Sequence, residues 1–109
     1  MRRGAIVAVA AKGAYTGKPR PALVVQSDLF NPTHASLTVC LITSDCVDAP
    51  LFRFTLPPGK RTGLRTVSQV MVEKIASVPR SSVRSEIGEC DDAEIEAVDI
   101  ALKRWLALA

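Results

Sequence analysis

The strongest constraint on this chain is its punctuation. Prolines, glycines and Asn/Asp-rich turns cut everything before residue 80 into short apolar runs, too brief for stable helices and rich in strand-forming residues. Residues 5–10 read as a short apolar strand, and residues 22–27, with Leu23, Val24 and Val25, as a central, buried one. Asn31-Pro32 forces the chain out of that strand within residues 28–34, where His34 reads as a turn residue. Residues 37–44 form the next strand, with Leu37, Val39, Leu41 and Thr43 sharing one face at period two. Asp45, Asp48 and Pro50 mark a turn. Residues 51–56 are a strand stopped by Pro57-Pro58-Gly59, residues 60–63 a basic loop, and residues 68–78 a further strand. Phe52, Phe54 and Met71 read as core residues.

Beyond residue 90 the period changes. Asp91 followed three residues later by Glu94 is a capping-box signature, with Asp in the Ser/Thr place, and Asp92 adds negative charge where the helix dipole is positive. Ile95, Val98, Leu102, Trp105 and Leu106 then recur as one apolar stripe, with Lys103 and Arg104 in the last turn. Ala93, Ala97, Ile100 and Ala107 make a second line. It reads either as the high helix propensity of alanine or as a face buried in a subunit interface. Many strands and one terminal helix predict a mainly β fold with a C-terminal helix (α+β): a small, partly open β-barrel with the helix packed on it, in a single domain over residues 1–109.

Composition narrows the class. With 48% hydrophobic and 23% charged residues, the chain can bury a core and is not disordered. At 109 residues that core is modest, a situation dimerisation commonly relieves. No apolar run approaches the ~18 residues of a membrane span. Met1-Arg2-Arg3-Gly4 resembles the start of a signal peptide, but the apolar run after it meets Lys12 too early, so it is read as the first strand of a cytoplasmic protein. Three cysteines, Cys40, Cys46 and Cys90, with no Cys-x-x-Cys pair, favour reduced thiols. One histidine and no spaced ligand pairs predict no metal site. The net charge of +3 is unevenly spread: residues 1–84 hold 12 basic and 4 acidic side chains, residues 85–109 hold 2 and 7. The body is therefore basic enough to hold phosphates and the tail is acidic.

Conventional catalytic sets are absent. The single histidine rules out a histidine pair, no Ser-His-Asp set can be assembled, and Gly13–Lys18 lacks the spacing of a phosphate-binding loop. No nucleotide or other cofactor is expected. What the chain does carry is an ordered series of segments: Gly17-Lys18-Pro19-Arg20-Pro21-Ala22-Leu23-Val24-Val25-Gln26, then Leu41-Ile42-Thr43-Ser44, then Gly63-Leu64 through Ser68-Gln69-Val70-Met71-Val72-Glu73-Lys74-Ile75, then Ile87-Gly88-Glu89 and the terminal helix.

In that order and spacing the series resembles the MazF/PemK family of toxins from type II toxin–antitoxin systems, over nearly the whole chain from Arg3. The resemblance implies an SH3-like barrel that forms homodimers, sequence-specific cleavage of single-stranded RNA, and neutralisation by the disordered C-terminal segment of a cognate antitoxin. It also implies Arg20 and Thr43 as the catalytic pair. The chemistry is coherent without metal or histidine, because RNA supplies its own nucleophile in the 2′-hydroxyl. The protein must stabilise charge on the phosphorane and help the 5′-oxygen leave. A guanidinium fork suits phosphate oxygens but is too basic to serve readily as a general base. Arg20 is accordingly read as a stabiliser of transition-state charge, and Thr43, assisted by Ser44, as a hydrogen-bond donor to phosphate.

Arg65, Ser68 and Gln69 are further candidates for RNA contact. Ser68 stands where some members carry an acid, and Ala5 where many carry Asp. In the first loop, Tyr15 is placed to stack on a base and Lys12 and Lys18 to hold phosphates, with a solvated loop as the plain alternative. Lys60 and Arg61 have the same two readings. Two other functions remain open at this point. One is a CcdB-like gyrase poison, against which the terminal Trp105-Leu106-Ala107-Leu108-Ala109 lacks the Trp-Gly-Ile ending. The other is a catalytically inactive module that binds an antitoxin or represses its own operon.

Overall fold

The structure is a computed structural model that describes residues 1–10 and 18–108. Lys12 and Tyr15 lie outside the described residues. Six strands, β1 (Ala5–Val9), β2 (Arg20–Val24), β3 (Ser36–Thr43), β4 (Arg53–Leu56), β5 (Ser68–Pro79) and β6 (Val83–Glu89), precede one helix, α1 (Asp92–Trp105). They form a single sheet in the order β4-β5-β3-β2-β1-β6, antiparallel at every pairing and not closed. This is the mainly β, partly open architecture with a terminal helix that the sequence predicts.

The central strands are apolar on both sides, which explains their near-continuous hydrophobic runs. Ile6, Leu23, Cys40, Ile42, Leu56, Val70 and Val72 form one core with Val98, Ala101 and Leu102 of α1. Alternate residues on the same strands, Val7, Val9, Ala22, Val24, Leu37 and Val39, form a second core on the opposite face. The long strand β5 serves both, with Val70 and Val72 in the first and Val78 against the second. Its pairing with β3 shifts register between Cys40 and Ile42, and such an irregularity bends a strand. A short 3-10 turn, Arg80–Ser82, then carries the chain across to β6, and Val83 closes the second core.

Strand β6 is the one strand the sequence reading does not predict. It lies at the sheet edge and five of its seven residues are charged, polar or glycine, so it shows no apolar alternation. Polar edges of this kind discourage pairing with other chains. The helix begins as expected: the Asp91 carboxylate accepts from the Glu94 N–H at 2.8 Å, and the Glu94 side chain accepts from the Asp91 N–H at 2.9 Å. The end of the stripe departs from expectation. Trp105 and Leu106 are each 47% exposed, and Trp105 leans on Phe52 with ring centroids 5.7 Å apart instead of entering the core. The helix stops at Trp105, so Ala107, at φ 57°, lies beyond it and off the second helical line. Phe52 and Phe54 do pack against the helix-side core, whereas Met71 is half-buried and joins neither core.

The basic loop after β4 is fastened to β6 and to the start of α1. Arg61 donates to both oxygens of Glu94, at 2.6 and 3.1 Å, and its carbonyl accepts from the Glu89 N–H at 2.8 Å. The Glu94 hydrogen bond is the main reason the Arg61 guanidinium is held above its ordinary pKa. Gly88 makes the contact possible: a Cβ there would lie 2.2 Å from the Thr62 carbonyl. Gly88→Ala should therefore force loop and strand apart and cost about 2 kcal/mol or more. An unchanged urea midpoint would show that the contact yields freely. Burial raises the thiols of Cys40 and Cys90 to about 12, while Cys46 is exposed. Since the thiolate is the reactive form, iodoacetamide at pH 8 should label the native protein once, at Cys46, with the other two reacting only after unfolding. Intact-mass and peptide analysis reads both stages.

Candidate functional site

Arg20 and Thr43, far apart in sequence, are brought together by the sheet. Ala22 pairs with Leu41 and Val24 with Val39, and Arg20 and Thr43 each stand two residues beyond the Ala22–Leu41 pair, at the adjoining ends of β2 and β3. On its other side Arg20 pairs with Val9; Thr43 pairs with Gln69, and Gln69 with Thr55. Two paired runs, Val9–Arg20 and Thr43–Gln69–Thr55, therefore meet at these strand ends. Neighbours directly opposite in such a run have Cβ atoms about 5 Å apart and point to the same side of the sheet.

These positions grade from solvent to interior. Arg20 is exposed and makes no side-chain hydrogen bond or ion pair among the described residues. Thr43 is half-buried, and its hydroxyl oxygen accepts from the Asp45 N–H at 3.0 Å. That bond fills an acceptor site and leaves the hydroxyl proton available to a ligand. Ser44 follows in the exposed turn. Gln69 is only 7% exposed. Its oxygen accepts from the Val47 N–H at 3.0 Å and Arg53 Nη1 at 3.2 Å, and its nitrogen donates to the Val47 carbonyl at 2.9 Å.

The remaining candidates sort by exposure. Arg65 is exposed at the end of the basic loop, with no ion pair among the described residues. Ser68 is buried and its hydroxyl donates to the Thr66 carbonyl at 3.0 Å, so it shapes the turn carrying Arg65. Cys46 Sγ lies 3.7 Å from the Val67 carbonyl, which brings the turn after Thr43 against that same loop. Lys18 is exposed just before β2. Sequence reasoning passes over Arg53 and Glu73. They form an ion pair at 2.7 Å beside Gln69, with side chains only 13% and 15% exposed. Glu73 Oε1 is buried without a hydrogen-bond partner among the described residues. A lone arginine in one strand and a lone glutamate in another carry no spacing signal that would pair them.

A groove of about 760 Å³ lies at the other end of β2 and β3, between residues 25–38 and the end of α1. Its apolar lining, including Phe30, Ile75, Leu102 and Leu106, suits a protein segment better than phosphate chemistry.

The chain is 47% identical over 109 residues to the probable endoribonuclease MazF of Mycolicibacterium smegmatis, covering 100% of this chain and 99% of the relative. It is 31% identical over 96 residues to endoribonuclease EndoA of Bacillus subtilis, covering 88% and 83% of the two chains. A mycobacterial endoribonuclease solved in complex with its cognate antitoxin has the same fold, with a TM-score of 0.84 at 18% identity over 100% of this chain and 97% of that one. Residues 2–106 match the model of the PemK-like, MazF-like toxins of type II toxin–antitoxin systems, and the chain belongs to that family.

Proposed function

We propose that this protein is the toxin of a type II toxin–antitoxin system and acts as an endoribonuclease on single-stranded RNA, with Arg20 and Thr43 at the scissile phosphate. The observation that carries the residue assignment is that Arg20 and Thr43 stand at the adjoining ends of the paired strands β2 and β3, in a chain of this family. In this reading the RNA 2′-hydroxyl loses its proton and attacks the adjacent phosphorus. The 5′-oxygen leaves and takes up a proton, and the products are a 2′,3′-cyclic phosphate and a 5′-hydroxyl end. Arg20 presents two parallel donors to the non-bridging oxygens as their charge grows, and Thr43 adds a third. No metal is required, because the nucleophile is already in the substrate.

Arg65, Lys18 and Ser44, all exposed, are assigned to the RNA strand on either side of the cleaved bond. Lys12 and Tyr15 belong to the same assignment from the sequence alone. Gln69 and Ser68, buried and bonded within the protein, are assigned to support of that surface. The partners we assign are a cognate antitoxin, whose disordered C-terminal segment would compete for the cationic surface, and a second copy of the chain. No helix among the described residues is long and apolar enough to cross a membrane; the cytoplasm, where the proposed RNA substrate lies, is the compartment we assign.

Purified protein incubated with a long single-stranded RNA in a metal chelator tests the chemistry. Cuts should recur at a short sequence with cyclic-phosphate and 5′-hydroxyl ends. Arg20→Ala should lower the rate roughly 10²–10³-fold, and Thr43→Ala by a smaller factor, about 10-fold or more. Cleavage by Arg20→Ala at the wild-type rate would remove the assignment. For the dimer, Ile100 is the telling residue, since it is 51% exposed on the second helical line. Ile100→Glu should turn a dimer into a monomer in sedimentation velocity at micromolar concentration, and a monomeric wild type would rule out the interface.

A further inference from the structure

Gln69 is bonded more fully than a side chain needs to be for packing alone. A carboxamide has two acceptor sites and two donor hydrogens. Here the oxygen takes the Val47 N–H and Arg53 Nη1, and the nitrogen gives to the Val47 carbonyl and, at 3.4 Å, to Thr55 Oγ1. Val47 is thus gripped through both its backbone groups from the strand opposite. Arg53 fixes which way the carboxamide faces, because a guanidinium only donates and so selects the oxygen. Arg53 is in turn held by Glu73 through Nε and Nη2, each 2.7 Å from Oε2.

The gripped segment is the turn that follows Thr43. Thr43 pairs with Gln69 across the sheet, the Asp45 N–H donates to Thr43 Oγ1, and Val47 is clamped two residues later. The turn is therefore pinned at both ends by the same pair of strands. With one of its two acceptor sites occupied by the Asp45 N–H, the Thr43 hydroxyl still has its proton to give, and the direction of that proton depends on where the turn holds the Asp45 N–H. An oxygen that is already accepting a hydrogen bond also donates more strongly.

We infer that Gln69, oriented by the Arg53–Glu73 pair, is a positioning residue for the cleavage reaction: it clamps the turn after Thr43 so that the Thr43 hydroxyl donates to the scissile phosphate. The inference rests on the assignment of Thr43 given above. Gln69 itself is buried and does not meet the RNA. Its loss therefore affects the chemical step and leaves strand binding, carried by exposed cations, in place.

The test is a double-mutant cycle on purified, folded protein with a single-site RNA. Gln69→Met keeps length and volume and removes the clamp. Val47→Pro removes the clamped N–H from the turn's side and leaves Gln69, Arg53 and Glu73 intact, so the proposal stays testable if the first variant folds poorly. Each should lower kcat about 10-fold or more, the scale of a misplaced catalytic group, with KM within about 2-fold of wild type. In a Thr43→Ala background neither should lower kcat further, because the clamp acts only through Thr43. A general loss of stability gives neither the kcat-only effect nor the non-additivity. Wild-type kcat in a folded Gln69→Met, or losses that multiply with Thr43→Ala, overturn the inference alone. An inactive wild type, or full activity in Thr43→Ala, overturns the functional assignment and the inference with it.

Discussion

The site depends on the two pairings of β3. On one side its pairing with β2 brings the strand end bearing Arg20 beside the strand end bearing Thr43; on the other its register with β5 brings Gln69. A slip of one residue in either pairing would turn an entire strand inside out, because side chains alternate faces. That slip is opposed along the length of β3 by burial on both sides. Leu37 and Val39 are 0% exposed in one core, and Cys40 and Ile42 are 0% and 4% exposed in the other. Each buried aliphatic side chain contributes about 1.5–3 kcal/mol relative to exposure, so an inverted strand would forfeit far more than a catalytic contact is worth. The position of the reactive strand ends is thus a consequence of core packing, and it needs no dedicated stabilisation of its own.

The loop carrying Arg65 is placed by a different device. Glu94 completes the capping box of α1 and, with the same carboxylate, accepts two hydrogen bonds from Arg61. The close approach of the Thr62 carbonyl to Gly88 seats the loop on β6. Helix start, edge strand and basic loop are consequently one mechanical unit. The acidic C-terminal segment, which looks like an appendage in sequence, works as the anchor for a cationic loop. Its charge is partly neutralised inside the protein, by Arg61 at Glu94 and by Arg3 at Asp99.

Legibility in the sequence followed the physical signals available. Strands β1 to β5 announced themselves because their buried runs are apolar and their ends are marked by turn residues, and α1 because its cap and stripe are local features. Strand β6 was silent, since an edge strand rich in Arg, Ser and Glu has no apolar face to show. Trp105 departs from the expected core position for a related reason: periodicity gives the face of a residue, but the helix runs past the edge of the core it covers, and the last turn meets Phe52 and solvent. Arg20 and Thr43 are legible only through resemblance to a family. Their adjacency is a matter of register, which one sequence does not display. The clamp at Gln69 was equally hidden, because its partners are the backbone of Val47 and a side chain from a third strand.

Two arginines near these strand ends show how burial separates chemistry from architecture. Arg53 and Arg20 have the same guanidinium fork, yet only one can turn to a phosphate. Arg53 is nearly buried, bound to Glu73 and Gln69. Diverting it would strand the Glu73 carboxylate, which already has one oxygen without a partner among the described residues. Losing one member of such a pair costs about 3–5 kcal/mol, more than a new charge-assisted hydrogen bond returns at about 1.5–3 kcal/mol. Arg20 is exposed and unpaired among the described residues, so binding phosphate asks it to exchange only water. The same side chain is therefore a fixed strut in β4 and a ligand-ready donor at the start of β2, and what separates the two roles is the carboxylate on β5.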